Sequence, residues 1–215
     1  MSQQPAIKVS IVPVTPFQQN ASIIVCAATG RAAIVDPGGD LPLLEKALAD
    51  LGARPEKILL THGHIDHAGG AAELSERLSL PIEGPHAADA FLLSGLAMQA
   101  KMFGMEGVRA VTTAKFLAEG GTVSIGEAVF DILHVPGHSP GSLVYAHKPS
   151  RFALVGDTVF QGSVGRTDFP YGDHDLLIRG VKTKLFPLGD AVTILPGHGP
   201  PTTIGAERAN NPFLQ

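Results

Sequence analysis

The sequence has a single cysteine, Cys26, and no tryptophan among its 215 residues. One thiol excludes an internal disulfide framework and any zinc site built from several thiolates. Cys26 lies in an apolar stretch and reads as a buried structural thiol. Charge is also sparse: 17% of residues are charged, and 16 Lys plus Arg against 20 Asp plus Glu leave a net charge of −4. Without a basic cluster, the chain is a poor partner for nucleic acid or an anionic membrane surface. No run approaches the roughly 18 apolar residues of a membrane span. The opening MSQQPAIKVS has neither the basic head nor the apolar stretch of a secretory leader. The expectation is a soluble, cytoplasmic protein. Hydrophobic residues make up 44% of the chain, enough to bury a sizeable core. No linker or low-complexity stretch divides it, so residues 1–215 read as a single domain.

What the chain does have is turn formers and histidine: 25 Gly, 17 Pro and 9 His. The turn formers predict short elements. Apolar runs predict strands over 7–14, 22–27, 32–35, 58–60, 129–135, 143–146, 152–155 and 192–195. Helical spacing predicts helices over 44–51, 69–80 and 86–103 and another beginning near Asp173. Asp40 stands where an N-cap belongs, and Gly52 where the helix should stop. Strands that cluster as well as alternate with helices predict two mixed sheets flanked by helices, an α/β (α+β) arrangement.

Four of these strands end alike. Ile58-Leu59-Leu60 runs into Thr61-His62, 132–135 into Pro136-Gly137-His138, 152–155 into Gly156-Asp157, and 192–195 into Pro196-Gly197-His198. Each end carries a potential metal donor, and loops at strand ends can aim side chains into one cleft. The densest segment is His62-Gly63-His64-Ile65-Asp66-His67, three imidazoles and a carboxylate in six residues. Neutral nitrogen and anionic oxygen suit zinc or non-haem iron. In an extended segment His62 and His64 project to the same side. Asp66 and His67 fall where the chain turns into a helix and face a different point. His138 and His198 then supply one more nitrogen to each group, and Asp157 has two oxygens with which to bridge.

The HGHIDH segment, His138, the Gly156-Asp157 pair and His198 resemble the metallo-β-lactamase superfamily signature. The resemblance extends along the whole chain, from Asp36 through the PGHGP turn to Asn211-Pro212-Phe213-Leu214. It is strongest to the short glyoxalase-II-like hydrolases (hydroxyacylglutathione hydrolases), through Pro136–Gly141 and Gly165-Arg166-Thr167-Asp168-Phe169-Pro170. It implies an αββα sandwich with two divalent cations at one edge, zinc foremost, with iron or manganese as alternatives. It also implies His62, His64 and His138 on one metal, Asp66, His67 and His198 on the other, and Asp157 between. The common zinc β-lactamases carry cysteine where this chain has Asp157. Full-length glyoxalase II enzymes carry a C-terminal helical extension, and the short tail after His198 leads to the expectation that it is missing.

Asp66 and Asp157 are the candidate catalytic residues. Arg166 and Phe169 are candidates for the substrate: Arg166 either pairs a substrate carboxylate or bridges to Asp168. Asp36 either orients a histidine or builds its turn. His134 reads as a core or supporting residue, His86, His147 and His174 as surface or capping residues, and the Met98, Met102, Phe103, Met105 cluster as packing. The implied reaction is hydrolysis of S-2-hydroxyacylglutathione thioesters such as S-lactoylglutathione, by water activated between two cations. The rivals are a persulfide dioxygenase with one iron, a lactonase, and a metal-binding scaffold without turnover.

Overall fold

The computed structural model describes residues 6–215. The chain begins with β1 (Ile7–Val14), β2 (Gln19–Cys26) and β3 (Arg31–Val35), then α1 (Leu41–Asp50), β4 (Arg54–Leu59), α2 (Ile65–Ala68), α3 (Ala71–Leu78) and β5 (Ile82–Glu83). Helices α4 (Ala90–Ser94) and α5 (Leu96–Phe103) lead to β6 (Thr122–Ile125), β7 (Ala128–His134), β8 (Leu143–His147) and β9 (Phe152–Gly156). A hairpin of β10 (Val159–Phe160) and β11 (Ser163–Val164) follows, then α6 (His174–Gly180), β12 (Thr193–Pro196), β13 (Thr202–Thr203) and α7 (Ile204–Asn210).

The strands form two large sheets, ordered β1-β2-β3-β4-β5 and β13-β12-β9-β8-β7-β6. Both are mixed: β3, β4 and β5 pair in parallel in the first, and β9 and β12 in the second. Period-two alternation builds the layers. In β2 and β3, Ile24, Cys26, Ala33 and Val35 face the second sheet, where they meet Phe130, Ile132 and Tyr145. The alternate residues Ile23, Val25, Ala32 and Ile34 face outward onto Leu44, Leu48, Leu74 and Leu96 of the helices. On the far side, Val144, Ala146, Ala153 and Val155 pack against Leu177 and Ile204 of α6 and α7. The result is the αββα order expected from the sequence. Among the described residues no helix is long and apolar enough to cross a membrane.

Some local expectations are corrected. Asp40 occupies the N-cap position of α1 but makes no cap: its φ is 47°, and its Oδ2 accepts instead from the Thr15 amide at 2.6 Å. The helix expected over 69–80 is α3 (Ala71–Leu78), and the sequence reading missed the short α2 before it, which begins at Ile65 and ends at the glycine pair Gly69-Gly70. The helix expected over 86–103 opens as a single 3₁₀ turn, Ala87–Asp89, and breaks again at Gly95. His147 is no surface residue: it is fully buried and tilts against Phe130 at 5.0 Å. It lies in register with Leu143 and Tyr145 on β8 and so faces the interior of the sandwich. The cap formed by His86 is real, its Nδ1 accepting from the Ala88 amide at 3.2 Å. His174 is exposed at the start of α6. His134 is half-buried and stacks on His86 at 4.1 Å.

Candidate metal centre

Strand direction puts the functional loops on one edge. β3 and β4 run parallel, as do β9 and β12, and β7 runs the same way as β9 because β8 opposes both. Asp36, Thr61-His62, His138, Asp157 and His198 therefore all follow the C-terminal ends of strands that share a direction within their sheet. The start of β2 ties the two sheets together there. The Asn20 amide nitrogen donates to the Gly197 carbonyl at 2.7 Å, and its Nδ2 to the carbonyls of Pro196 and Gly199 at 3.1 and 2.7 Å.

Six of the seven candidate donors meet as two triads. His62, His64 and His138 form one and Asp66, His67 and His198 the other, the donor atoms of each lying within 4.8 Å of one another. In the first, His64 Nδ1 lies 3.1 Å from His62 Nε2 and 2.9 Å from His138 Nε2. Asp157 sits between the triads. Its Oδ1 is 3.2 Å from His67 Nε2, and its Oδ2 lies 3.6 Å from His138 Nε2 and 3.7 Å from His198 Nε2.

The outer nitrogen of four of the five imidazoles is taken by the fold, which sets the tautomer and aims the other nitrogen inward. His62 Nδ1 is 3.1 Å from Thr61 Oγ1, whose own proton goes to Asp36 Oδ2 at 2.6 Å, so the imidazole donates. His138 Nδ1 donates to the Arg166 carbonyl at 2.8 Å, and His64 Nε2 meets the Tyr171 hydroxyl at 2.8 Å. His67 Nδ1 donates to Asp36 Oδ2 at 2.9 Å. Asp36 also accepts from the Thr61 amide at 2.7 Å. Its two oxygens are thus spent on orienting Thr61 and His67, which decides between the alternatives left open by the sequence.

This arrangement fits a cation. His67 Nε2 and Asp157 Oδ1 are buried with no hydrogen-bond partner, and three imidazole lone pairs face one point. Buried polar atoms left in that state cost free energy that a bound cation removes. The protonation states of two members of the first triad agree. Burial, with help from neighbouring imidazoles, holds His62 well below its ordinary pKa and pushes His64 down to about 3, so both are neutral donors. In the second triad burial pushes His67 down, but Asp157 and Asp66 outweigh it and the net shift is upward. Burial likewise opposes ionisation of Asp157, yet the surrounding imidazoles, His67 first, hold its pKa low. Close approach also shapes the loops: a Cβ on Gly197 would overlap Asp157 Oδ1 and lie 2.5 Å from His67 Cε1.

Two important residues escaped the sequence reading. Asp89 is fully buried and accepts from the Gly63 amide at 2.9 Å, the Gly141 amide at 2.6 Å and Ser139 Oγ at 2.7 Å. It joins the loop of His62 and His64 to the loop of His138. Tyr171 holds His64. Neither carries a local signal, because both act across long stretches of chain.

A cavity of about 750 Å³ opens over both triads. Phe169 lines it beside His64 and His138, at ring distances of 4.9 and 5.8 Å. Arg166 borders it too, but its Nε and Nη2 are held by Asp168 at 2.7 and 2.8 Å, and its guanidinium lies over Phe169. The bridge to Asp168 is therefore the one the structure contains. The methionine cluster divides. Met105 packs against the core, whereas Met98, Met102 and Phe103 are 72%, 78% and 56% exposed and line the cavity, contrary to the packing role expected of them. Gly104 ends α5 in a left-handed turn with φ 65° and so separates the two groups.

Comparison with known proteins agrees with this geometry. Residues 14–198 match the family model of the metallo-β-lactamase superfamily. The chain is 42% identical over 207 residues to hydroxyacylglutathione hydrolase GloC of Haemophilus influenzae, covering 96% of this chain and 97% of that protein. The crystal structure of the BLEG-1 B3 metallo-β-lactamase superposes with a TM-score of 0.88 at 35% identity, covering 96% of this chain and 99% of that one. TTHA1623 in a di-iron-bound form gives 0.85 at 35% identity, covering 95% and 100%. The His/Asp cluster is a site for divalent metal ions, and the chain belongs to the metallo-β-lactamase superfamily.

Proposed function

We propose that this chain is a glyoxalase-II-type hydrolase, which cleaves S-2-hydroxyacylglutathione thioesters such as S-lactoylglutathione to a hydroxy acid and glutathione. The observation that carries this reading is Asp157, whose Oδ2 lies 3.6 Å from His138 Nε2 of one triad and 3.7 Å from His198 Nε2 of the other, with Oδ1 3.2 Å from His67 Nε2. That placement fits two divalent cations, with His62, His64 and His138 holding one, Asp66, His67 and His198 the other, and Asp157 both. A relative that is 42% identical and bears the name hydroxyacylglutathione hydrolase supports the substrate class. Two such cations, when bound, supply Lewis acidity and a water that ionises near neutral pH.

The protein's own residues do the rest. Thr61, Tyr171, Asp36 and the Arg166 carbonyl fix four imidazoles in the tautomer that points a lone pair inward. Asp66 Oδ2 stands 3.0 Å from His198 Nε2 at the open side of the site, where a carboxylate can hold or pass the proton of the attacking water. Phe169 and Tyr171, stacked at 5.3 Å, cover His64 and limit bulk solvent there. In the net reaction a C–O bond forms from water, the C–S bond breaks, and the thiolate leaves with its electron pair and takes up a proton. A thiol with a pKa of about 8.5 needs little assistance in leaving.

The test is a substrate panel on protein of known metal content: S-lactoylglutathione, glutathione persulfide, an acyl lactone and a β-lactam. Thioester turnover with two equivalents of metal is expected. Oxygen uptake on the persulfide with one equivalent of iron, or preference for the lactone, overturns the reading. Zinc, iron and manganese are compared by loading each in turn, with zinc expected to support turnover.

A further inference from the structure

Exposed large apolar side chains are unevenly spread. Among the described residues five of eleven, Phe17, Phe91, Met98, Met102 and Phe103, line the cavity over the metal centre. Met98 and Met102 are one helical turn apart on α5, so they form a continuous strip about 6 Å long. Phe103 closes one end of the strip, with Phe17 packed edge-on against it at 5.6 Å. Clustered exposed apolar surface beside a reactive site marks a binding wall, since water alone gives no reason to keep it there. Methionine suits such a wall because its side chain adapts to the shape of what it covers.

The charges point the same way. Arg166 is the one Lys or Arg among the residues lining the cavity, and Asp168 engages it through both oxygens. The wall thus offers no cation to the two carboxylates of a glutathione arm, and burying either against it unpaired would be costly. An apolar group suffers no such penalty.

We propose that the α4–α5 wall receives the acyl side of the substrate, and that the preferred acyl groups are 2-hydroxyacyl groups bearing an aromatic or branched alkyl substituent larger than the methyl of lactate. This rests on the thioesterase reading above, which gives the polar glutathione to the thiol side and leaves the wall to the acyl side. Phe91, Met98 and Met102 cover the substituent. Specificity arises because those atoms leave water in the transition state as well as in the bound substrate, so the gain is read in kcat/KM.

The test compares S-mandeloylglutathione with S-lactoylglutathione, which share the thiol and the 2-hydroxyl and differ only in the acyl substituent. Metal-loaded wild type is expected to favour the mandeloyl ester in kcat/KM by about tenfold. The double variant Met98→Gln/Met102→Gln should lower that ratio about tenfold. Both side chains are more than 70% exposed, so the change leaves the core intact. A second readout is independent of turnover: mandelate should inhibit more tightly than lactate in wild type, and the difference should shrink in the double variant. A mandeloyl-to-lactoyl ratio of one or less, with the lactoyl ester turned over, overturns the wall's role while leaving the thioesterase reading standing. Failure of both esters on fully loaded protein overturns that reading, and this inference with it.

Discussion

The two donor triads share Asp157 yet are held differently. The first is dry: His62, His64 and His138 are 0%, 8% and 3% exposed. The second has one fully buried member, His67, while the side chains of Asp66 and His198 are 19% and 29% exposed. The first triad is anchored by Asp89, which fastens both of its loops through three buried hydrogen bonds. The second depends on Asp36, which holds His67 directly and reaches His62 of the first only through Thr61, and on the Asn20 clamp around the His198 loop. Burial strengthens the field at the first triad and slows exchange with solvent. The openness of the second gives substrate and water a way in. A tight structural-grade half and a looser accessible half is the division these differences imply.

The largest expected effect is on turnover. His62→Ala should lower thioester kcat by about a hundredfold or more, as loss of a principal electrostatic contributor does, and should empty the first triad. His198→Ala should retain one equivalent of metal at the first triad and lose less activity. Metal analysis beside kinetics checks both. Equal metal loss in the two variants would break the comparison.

The anchors should separate the halves further. Asp89→Ala leaves the Gly63 and Gly141 amides and Ser139 Oγ without their acceptor and should cost about 2–4 kcal/mol of stability. Denaturant unfolding with the metals removed measures it. Asp36→Asn should instead weaken metal affinity about 10–100-fold, at the triad containing His67 first. Competition with a chelator would show the loss there before the first triad is affected.

The triads should also differ with pH. In the metal-free protein Asp157 and Asp66 outweigh burial and raise the pKa of His67, so a metal entering the second triad must displace a proton. Below that raised pKa the apparent affinity should fall about tenfold per pH unit. His62 and His64, with pKa values lowered by burial, are already neutral, so these two donors release no proton to an entering metal and the first triad should depend on pH less steeply than the second. Metal titration at several pH values reads both slopes. The smallest effect belongs to Arg166. Its pair with Asp168 is exposed and screened by solvent, so it contributes little. Arg166→Ala should therefore change KM for S-lactoylglutathione and for a simple acyl thioester by the same small factor. A selective rise for the glutathione ester would instead assign the residue to substrate.

Much of this was legible in the chain because it is local. Alternation in β2 and β3 set which side chains face each layer, and four strand ends each carried a donor. The spacing within HGHIDH by itself separates His62 and His64 from Asp66 and His67. Covalent connectivity dictates such features, since neighbours in sequence cannot move far apart.

Tertiary structure alone decided the rest. Asp89 lies 26 positions from Gly63 and 52 from Gly141, and Tyr171 lies 107 from His64. No local pattern encodes which buried group answers which across such spans. The choice for Asp36 between turn and anchor likewise waited on the geometry of loops that meet only in the fold. The methionines of α5 show the same limit. Composition marks Met98 and Met102 as apolar, but only the packing of α5 beside the sheet edge turns them toward the cavity rather than the core. Sequence supplied the donors and their order; the folded edge decided what holds them and what faces them.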